Sequence, residues 1–352
     1  MRTESLPIVD CAGDARRRGH AHGEALRSVI LAKVERWREA IGEAYGVPAS
    51  LFLPRFLEAT DFRGAIMAHA PDLADEVVGI GEGAGLPEET AYALQLMDEE
   101  WWWGRSNAAH CSSLAVAPAD GRPTLVAQTM DLPRWHDGAQ ALLKIEDTGQ
   151  KSLVFTSAGM IGLMGVSGRG LGICVNTLSQ LAVNPRGLPV AFVMRGALAQ
   201  GTVASAAEFL GRVPHASGQN YQLGDRSEAR TFECSAGGIV PVSFSNGCSL
   251  HTNHPLVSRD GRDTTARMEG SEDSRGRLQS LRTDIAIVPD VAAVKASLAA
   301  RRTGGIVSIT PQSAALTAPM TIGSVVYSFG EAIELSVCAG PPSHESWREI
   351  AV

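Results

Sequence analysis

The hydrophobic pattern changes period once along the chain, near residue 111. Upstream, Leu26, Ile30, Val34, Trp37 and Ile41 recur at spacings of three and four, which predicts a long helix over 13–46 closed by Tyr45-Gly46-Val47-Pro48. A second helical stretch fits 49–70 and is broken at Ala70-Pro71; a third starts near Asp72 and runs through Leu73, Val77, Val78 and Ile80. Residues 1–105 are therefore expected to be mainly helical. Downstream the period falls to two, predicting strands at 111–117, 123–130, 140–147, 151–157, 162–168 and 170–176. Helices are expected at 190–200 and 203–212, the latter capped by Thr202, then strands at 219–224, 228–235, 238–244 and 248–253. The polar run 257–273 reads as an exposed loop, followed by helices at 274–286 and 290–300. The chain closes in a hairpin in which Val325, Tyr327 and Phe329 alternate, Gly330-Glu331 turns, and Ile333, Leu335 and Val337 alternate back. Strands, helices, strands, helices and strands in succession predict an α+β fold of two packed sheets with helices outside.

Composition narrows the function classes. At 352 residues, 44% hydrophobic and 20% charged, the chain can bury a large core. Its net charge of −7 argues against nucleic acid or an anionic membrane as main partner. No apolar run reaches a membrane span, and Met1 to Asp10 carries Glu4 and lacks a signal-peptide core, so a cytoplasmic location is expected. Six scattered cysteines without a Cys-x-x-Cys pair suit that reducing compartment.

Two motifs invite chemistry and are read otherwise. In Gly19-His20-Ala21-His22-Gly23, histidines two apart fall on different helix faces, a poor geometry for one metal ion, and the glycines fit close helix packing. Gly79-Ile80-Gly81-Glu82-Gly83-Ala84-Gly85 has a phosphate-loop composition, but no strand precedes it and no Lys-Ser/Thr follows. No metal or cofactor is expected.

The stretch with the strongest chemical content is His110-Cys111-Ser112-Ser113-Leu114-Ala115-Val116, running through the turn dipeptide Asp120-Gly121 to Gln128-Thr129-Met130-Asp131. It places a cysteine where a polar loop, Gly104 to Ala109, becomes a strand. With Gly19 to Ile30, Gly79 to Leu86, Gly172 to Asn176, Met194-Arg195, Asn220-Tyr221, Glu233 and His251-Thr252-Asn253-His254-Pro255 in order, the chain resembles the acyl-coenzyme A:6-aminopenicillanic acid acyltransferase family of N-terminal-nucleophile (Ntn) hydrolases. Penicillin V acylase and bile salt hydrolase are its wider relatives. The chain departs from that pattern at His110, where glycine is common, at Gln128, where bile salt hydrolases carry arginine, and at Leu132, where tryptophan is usual.

The resemblance implies a four-layer αββα sandwich and self-cleavage at His110–Cys111. Residues 1–110 would form a helical α subunit and 111–352 the catalytic β subunit, together one structural domain. It implies Cys111 as nucleophile, its freed α-amine as base, Asp131 as the carboxylate fixing that amine, and Asn253 and Asn176 as oxyanion donors. Arg275 is a candidate substrate-binding residue. Such an enzyme would cleave or transfer the acyl group of an N-acylated small molecule, with acyl-CoA or an amine acceptor as further partners and a homo-oligomer left open. With an amine as base, neither His251 nor His254 is required. An unprocessed, non-catalytic homologue acting as a binding protein is the alternative.

Overall fold

The computed structural model describes residues 6–105, 110–119, 121–261, 271–285, 288–343 and 346–352. The expected turn residue Asp120 and most of the 104–109 loop lie outside the described residues, as does part of the 257–273 loop.

The first third is helical after one short strand. β1 (Ile8–Ala12) leads into α1 (Ala15–Ala25), α2 (Arg27–Tyr45), α3 (Ala49–Glu58), α4 (Arg63–His69), α5 (Pro71–Ala84), α6 (Glu88–Ala93) and α7 (Met97–Gly104). The helix expected over 13–46 is two, divided at Leu26, whose φ of −113° and ψ of 18° leave the helical region. β1 escapes the sequence pattern because it is five residues long and pairs in parallel with a strand more than a hundred residues later.

The remainder contains β2 (Ser112–Val116), β3 (Thr124–Pro133), β4 (Gln140–Asp147), β5 (Gln150–Ser157), β6 (Met164–Ser167) and β7 (Gly172–Thr177), then α8 (Val190–Leu198) and α9 (Val203–Arg212). It continues with β8 (Gln219–Gly224), β9 (Ala229–Ser235), β10 (Gly238–Val242) and β11 (Cys248–His251), α10 (Glu272–Asp284) and α11 (Val291–Leu298). The small pair β12 (Arg301–Arg302) and β13 (Gly305–Ile306) precedes the long hairpin β14 (Pro319–Phe329) and β15 (Ile333–Ala339), and β16 (Arg348–Ala351) ends the chain.

The strands form an eight-stranded sheet, β1-β4-β5-β6-β7-β8-β9-β10, and a six-stranded sheet, β11-β2-β3-β14-β15-β16. Every pair is antiparallel except β1 with β4. β7 and β8 face β2 and β3, α8 and α9 lie on the first sheet, and α10 and α11 lie on the second, which is the expected four-layer order. β2 and β3 are buried along their whole lengths, as central strands covered on both faces must be. Among the described residues no helix is long and apolar enough to cross a membrane.

The two glycine motifs pack on each other. A Cβ at Gly19 would sit 1.9 Å from the Glu76 carbonyl oxygen, and one at Gly79 would sit 2.1 Å from that of Arg16. Gly23 and Gly83 make equally close approaches to Ile80 and His20, so the backbones of α1 and α5 touch without intervening side chains. Phosphate binding is thereby replaced by a packing role. Gly79→Ala must push the helices apart, and it is expected to cost roughly 1–3 kcal/mol in denaturant unfolding. An unchanged midpoint would contradict the close packing.

Residues 1–110 are tied to the rest by buried polar links. Lys33 Nζ donates to Ser157 Oγ at 3.0 Å, and the Gly159 N–H donates to His22 Nε2 at 3.0 Å. Gln95 bridges Gly159 and Ile161, and Arg195 forms a bidentate pair with Glu76 at 2.8 and 3.0 Å.

Candidate active site

Cys111 precedes β2, 2% exposed, with its thiol against the backbone N–H of Asp131 and 3.6 Å from Met130 Sδ. Burial pushes the thiol up to about 12, and the charge of Asp131 adds to this; the Asp131 N–H and Arg277 oppose it without winning. At pH 7 only about one such thiol in 10⁵ would be ionised. The Cys111 thiol is therefore held in its neutral form.

Asp131 sits one strand away on β3, fully buried. Thr321 of β14 pairs directly with Asp131 across the ladder, and Thr321 Oγ1 donates to Asp131 Oδ1. Asp131 Oδ2 is buried and has no partner among the described residues. Burial raises this carboxyl to about 7 despite Arg277 and Thr321. An unpartnered carboxylate oxygen beside a neutral thiol is a place prepared for a cation.

α10 contacts the residues on both sides of the His110–Cys111 bond. Asp273, in its first turn, accepts from His110 Nδ1 at 3.1 Å. One turn later Arg277, with no exposed surface, donates to the Cys111 carbonyl, to Ser112 Oγ at 3.0 Å, to Asn253 Oδ1 at 3.1 Å and to Asp273 Oδ2 at 2.9 Å. Burial works against charge at Asp273, but His110 and Arg277 outweigh it and hold the carboxyl at about 2. The arginine that touches Cys111 and Ser112 is Arg277. Arg275, the residue expected from the sequence, is exposed, because a step of two on a helix turns the side chain to another face. The missed signal is the buried stripe Ser274, Arg277, Leu278 and Leu281, whose spacing puts Arg277 on the inward face.

The two asparagines are brought to the same region with different hydrogen bonding. Asn176, at the end of β7, accepts through Oδ1 from Ser113 Oγ at 2.5 Å and from Asn220 Nδ2 at 2.8 Å. Those donors fix the amide's orientation and leave Nδ2 buried without an acceptor among the described residues. Asn253 is engaged at both ends: Oδ1 accepts from Arg277 and Nδ2 donates to the Thr177 carbonyl at 3.1 Å. Gln128 clasps the sheets together, donating to the Val175 carbonyl at 2.6 Å and accepting from the Val175 N–H at 2.8 Å. It fixes the strand that carries Asn176.

The histidines beside Asn253 serve the loop. His251 lies between the Thr252 carbonyl at 2.8 Å and Glu233 Oε1 at 2.9 Å. Glu233 also accepts backbone N–H groups of Leu256, Val257 and Ser258, which closes the turn after Asn253. His254 meets Ser274 Oγ at 2.8 Å, and burial lowers it to about 4, so it is neutral. Among the described residues no cluster of three His, Cys, Asp or Glu could hold a metal ion, and all six cysteines are unpaired.

The sequence reading also passed over Asp98-Glu99-Glu100, three consecutive buried acids on α7. Asp98 Oδ1 accepts from Thr177 Oγ1 and from Gln219 Nε2 at 3.0 Å, and it lines a cavity of about 30 Å³ that the Cys111 side chain shares. Glu99 accepts from Ser217 Oγ and the Val190 N–H. Glu100 accepts from Trp37 Nε1 and Tyr45 OH, and burial raises it to about 7. A carboxyl raised on folding stabilises below its unfolded value and loses that contribution as pH rises through the folded one. Glu100→Gln should therefore gain stability relative to its parent between pH 5 and pH 9, by on the order of a few kcal/mol. A pH-independent difference in unfolding free energy would contradict the assignment.

A family profile for acyl-coenzyme A:6-aminopenicillanic acid acyl-transferase matches residues 117–296, beginning just after Cys111. No curated protein matches the chain. Among solved structures, the Caenorhabditis elegans ortholog of N-acylethanolamine-hydrolyzing acid amidase aligns at TM-score 0.45 and 14% identity over 61% of this chain and 92% of its own. A variant of the Clostridium perfringens conjugated bile acid hydrolase aligns at 0.46 and 13% over 69% and 92%. Penicillin V acylase from Agrobacterium tumefaciens aligns at 0.41 and 14% over 69% and 86%.

Proposed function

Because the chain belongs to the acyl-coenzyme A:6-aminopenicillanic acid acyl-transferase family, we propose that it is a cysteine acyl-transfer enzyme that matures by cutting its own His110–Cys111 bond. The observation that carries this reading is the buried Cys111 thiol on the Asp131 N–H, beside the unpartnered Asp131 Oδ2 and a bond whose flanking residues α10 contacts on both sides.

In the proposed cut, Cys111 Sγ gives its proton to the Asp131 carboxylate, which later returns it to the leaving nitrogen, and attacks the His110 carbonyl carbon. The oxyanion that forms is met by a side-chain amide; Asn176 Nδ2 is the one without an acceptor. The C–N bond then breaks, the Cys111 nitrogen takes a proton, and a thioester joins His110 to Sγ. Water hydrolyses it to a His110 carboxylate, a free thiol and a free α-amine. That amine, with a reference pKa of about 7.7–8.0, becomes the base within the nucleophile's own residue. As an ammonium it supplies the cation that Asp131 Oδ2 lacks and lowers the cost of a thiolate.

In turnover the same thiol takes the acyl group of an N-acylated small molecule or acyl thioester, releases the amine or thiol, and passes the acyl group to water or an amine. Asn176 and Asn253 are assigned to the oxyanion, Asn253 by exchanging the Thr177 carbonyl for it. Arg277 orients Asn253 and Cys111. The buried links from Lys33, His22, Gln95 and Glu76 keep the two fragments together. Intact-mass spectrometry after brief exposure to acyl amides and acyl thioesters tests the reading. An acyl group is expected on the 242-residue fragment and absent from Cys111→Ala; acylation that persists in Cys111→Ala would refute it.

A further inference from the structure

A small cavity that Cys111 helps to line is walled mostly by apolar side chains. Its walls include Met97, Met130, Met160, Met194, Leu132 and Leu163, and its polar lining residues are Gln95, Asp98, Thr177 and Gln219. Asp98 is 6% exposed and Gln219 1% exposed. Gln219 spends its Nε2 on Asp98 at 3.0 Å and on Ser217 Oγ at 3.1 Å, which leaves Oε1 buried with no donor among the described residues. The side-chain partners of the Asp98 carboxylate, Thr177 and Gln219, are neutral, so nothing in this hydrogen-bonded group offsets its charge. Two acceptors, the Asp98 carboxyl and an unpartnered amide oxygen, thus line the same cavity as Cys111. A group that satisfies both is a donor bearing positive charge.

We propose that this cavity is the acyl subsite and that it selects an acyl chain carrying an amino group, which Asp98 and the Gln219 amide oxygen recognise. The inference rests on the acyl-transfer reading above and adds the substrate class to it. A thioester would fix the acyl carbon at Sγ, and the cavity that Cys111 lines is space beside it for the attached chain. Burial raises the Asp98 carboxyl, as expected for an acid waiting for a counter-cation. At about 30 Å³ the cavity of the uncut chain holds one or two waters. Four methionines line it, and their unbranched thioethers can swing aside for a longer chain. The wall residues Met97 and Asp98 come from the 1–110 fragment, so the subsite is complete only while both fragments stay together.

The test compares hexanoyl, 2-aminohexanoyl and 6-aminohexanoyl p-nitroanilides on the purified wild-type protein, Asp98→Asn and Gln219→Leu. The wild type should favour one of the amino compounds over hexanoyl by about tenfold or more in kcat/KM. That ratio should fall to about one in Asp98→Asn and drop several-fold in Gln219→Leu, which covers the case in which Asp98→Asn does not fold. A wild type that favours hexanoyl over both amino compounds, or an amino preference that survives both substitutions, overturns the subsite while leaving the acyl-transfer reading in place. Release from none of the three, with no acyl group found on Cys111, overturns both.

Discussion

Cys111→Ala is expected to remain one chain of 352 residues and to lose acyl-transfer activity by about 10⁴-fold or more. The size of the loss follows from the number of roles this residue is assigned. Its thiol cuts the precursor, its nitrogen becomes the base, and the same thiol then carries the acyl group. Each later role depends on the first. Without the cut there is no α-amine, and burial keeps any thiol at this position near 12. Cys111→Ser separates the roles, since a hydroxyl can attempt the cut but is a poor leaving group and nucleophile at neutral pH. It should process slowly and turn over far less than the wild type once cut. The alanine variant should unfold normally, which distinguishes lost chemistry from lost structure. An alanine variant that is cleaved at His110–Cys111, or that keeps wild-type turnover, would remove Cys111 from the mechanism.

Removing the unpartnered amide donor is the second large effect. Asn176→Ala should lower kcat about 10²–10³-fold with little change in KM, because the bond is made only when the oxyanion forms. Asn176→Asp is the sharper variant. Ser113 and Asn220 can still donate to its retained oxygen, so the fold survives, while the free donor becomes an acceptor that repels the developing charge. It should be at least as damaging as alanine. Asn253→Ala should slow the cut as well as turnover, since it also deprives Arg277 of an acceptor beside Cys111. Rates must be compared on the cleaved fraction. A cleaved Asn176→Asp protein with near-normal kcat would exclude Asn176 as an oxyanion donor.

The parts of this molecule that were legible in the sequence are those with a strong local period. β14 and β15 were visible because Val325, Tyr327 and Phe329 alternate against Ile333, Leu335 and Val337 across a turn. The four-layer order and the family followed from motifs in sequence, and the match over 117–296 confirms the family. β1 was invisible because a five-residue strand leaves no periodic signal and its partner, β4, is distant in sequence. The Gly79 motif has the composition of a phosphate loop and the geometry of a helix contact; only a distance such as 2.1 Å to Arg16 separates the two. The Asp273-Ser274-Arg275 motif does not reveal which arginine faces inward; the buried stripe with Ser274, Leu278 and Leu281 puts Arg277 there. Gln128 was read as a departure from arginine, whereas both ends of its amide are used on Val175. Asp98 raised no signal at all, since a helix with three acids in its first turn reads as a solvated N-terminus.

The central claim is that the nucleophile is made by the chain's own cut. The most direct measurement is the intact mass of the wild-type protein, freshly purified and denatured. The account predicts two masses, for fragments of 110 and 242 residues divided between His110 and Cys111, whose sum exceeds the uncut chain by one water. A single 352-residue mass from a preparation that turns over acyl amides would contradict it.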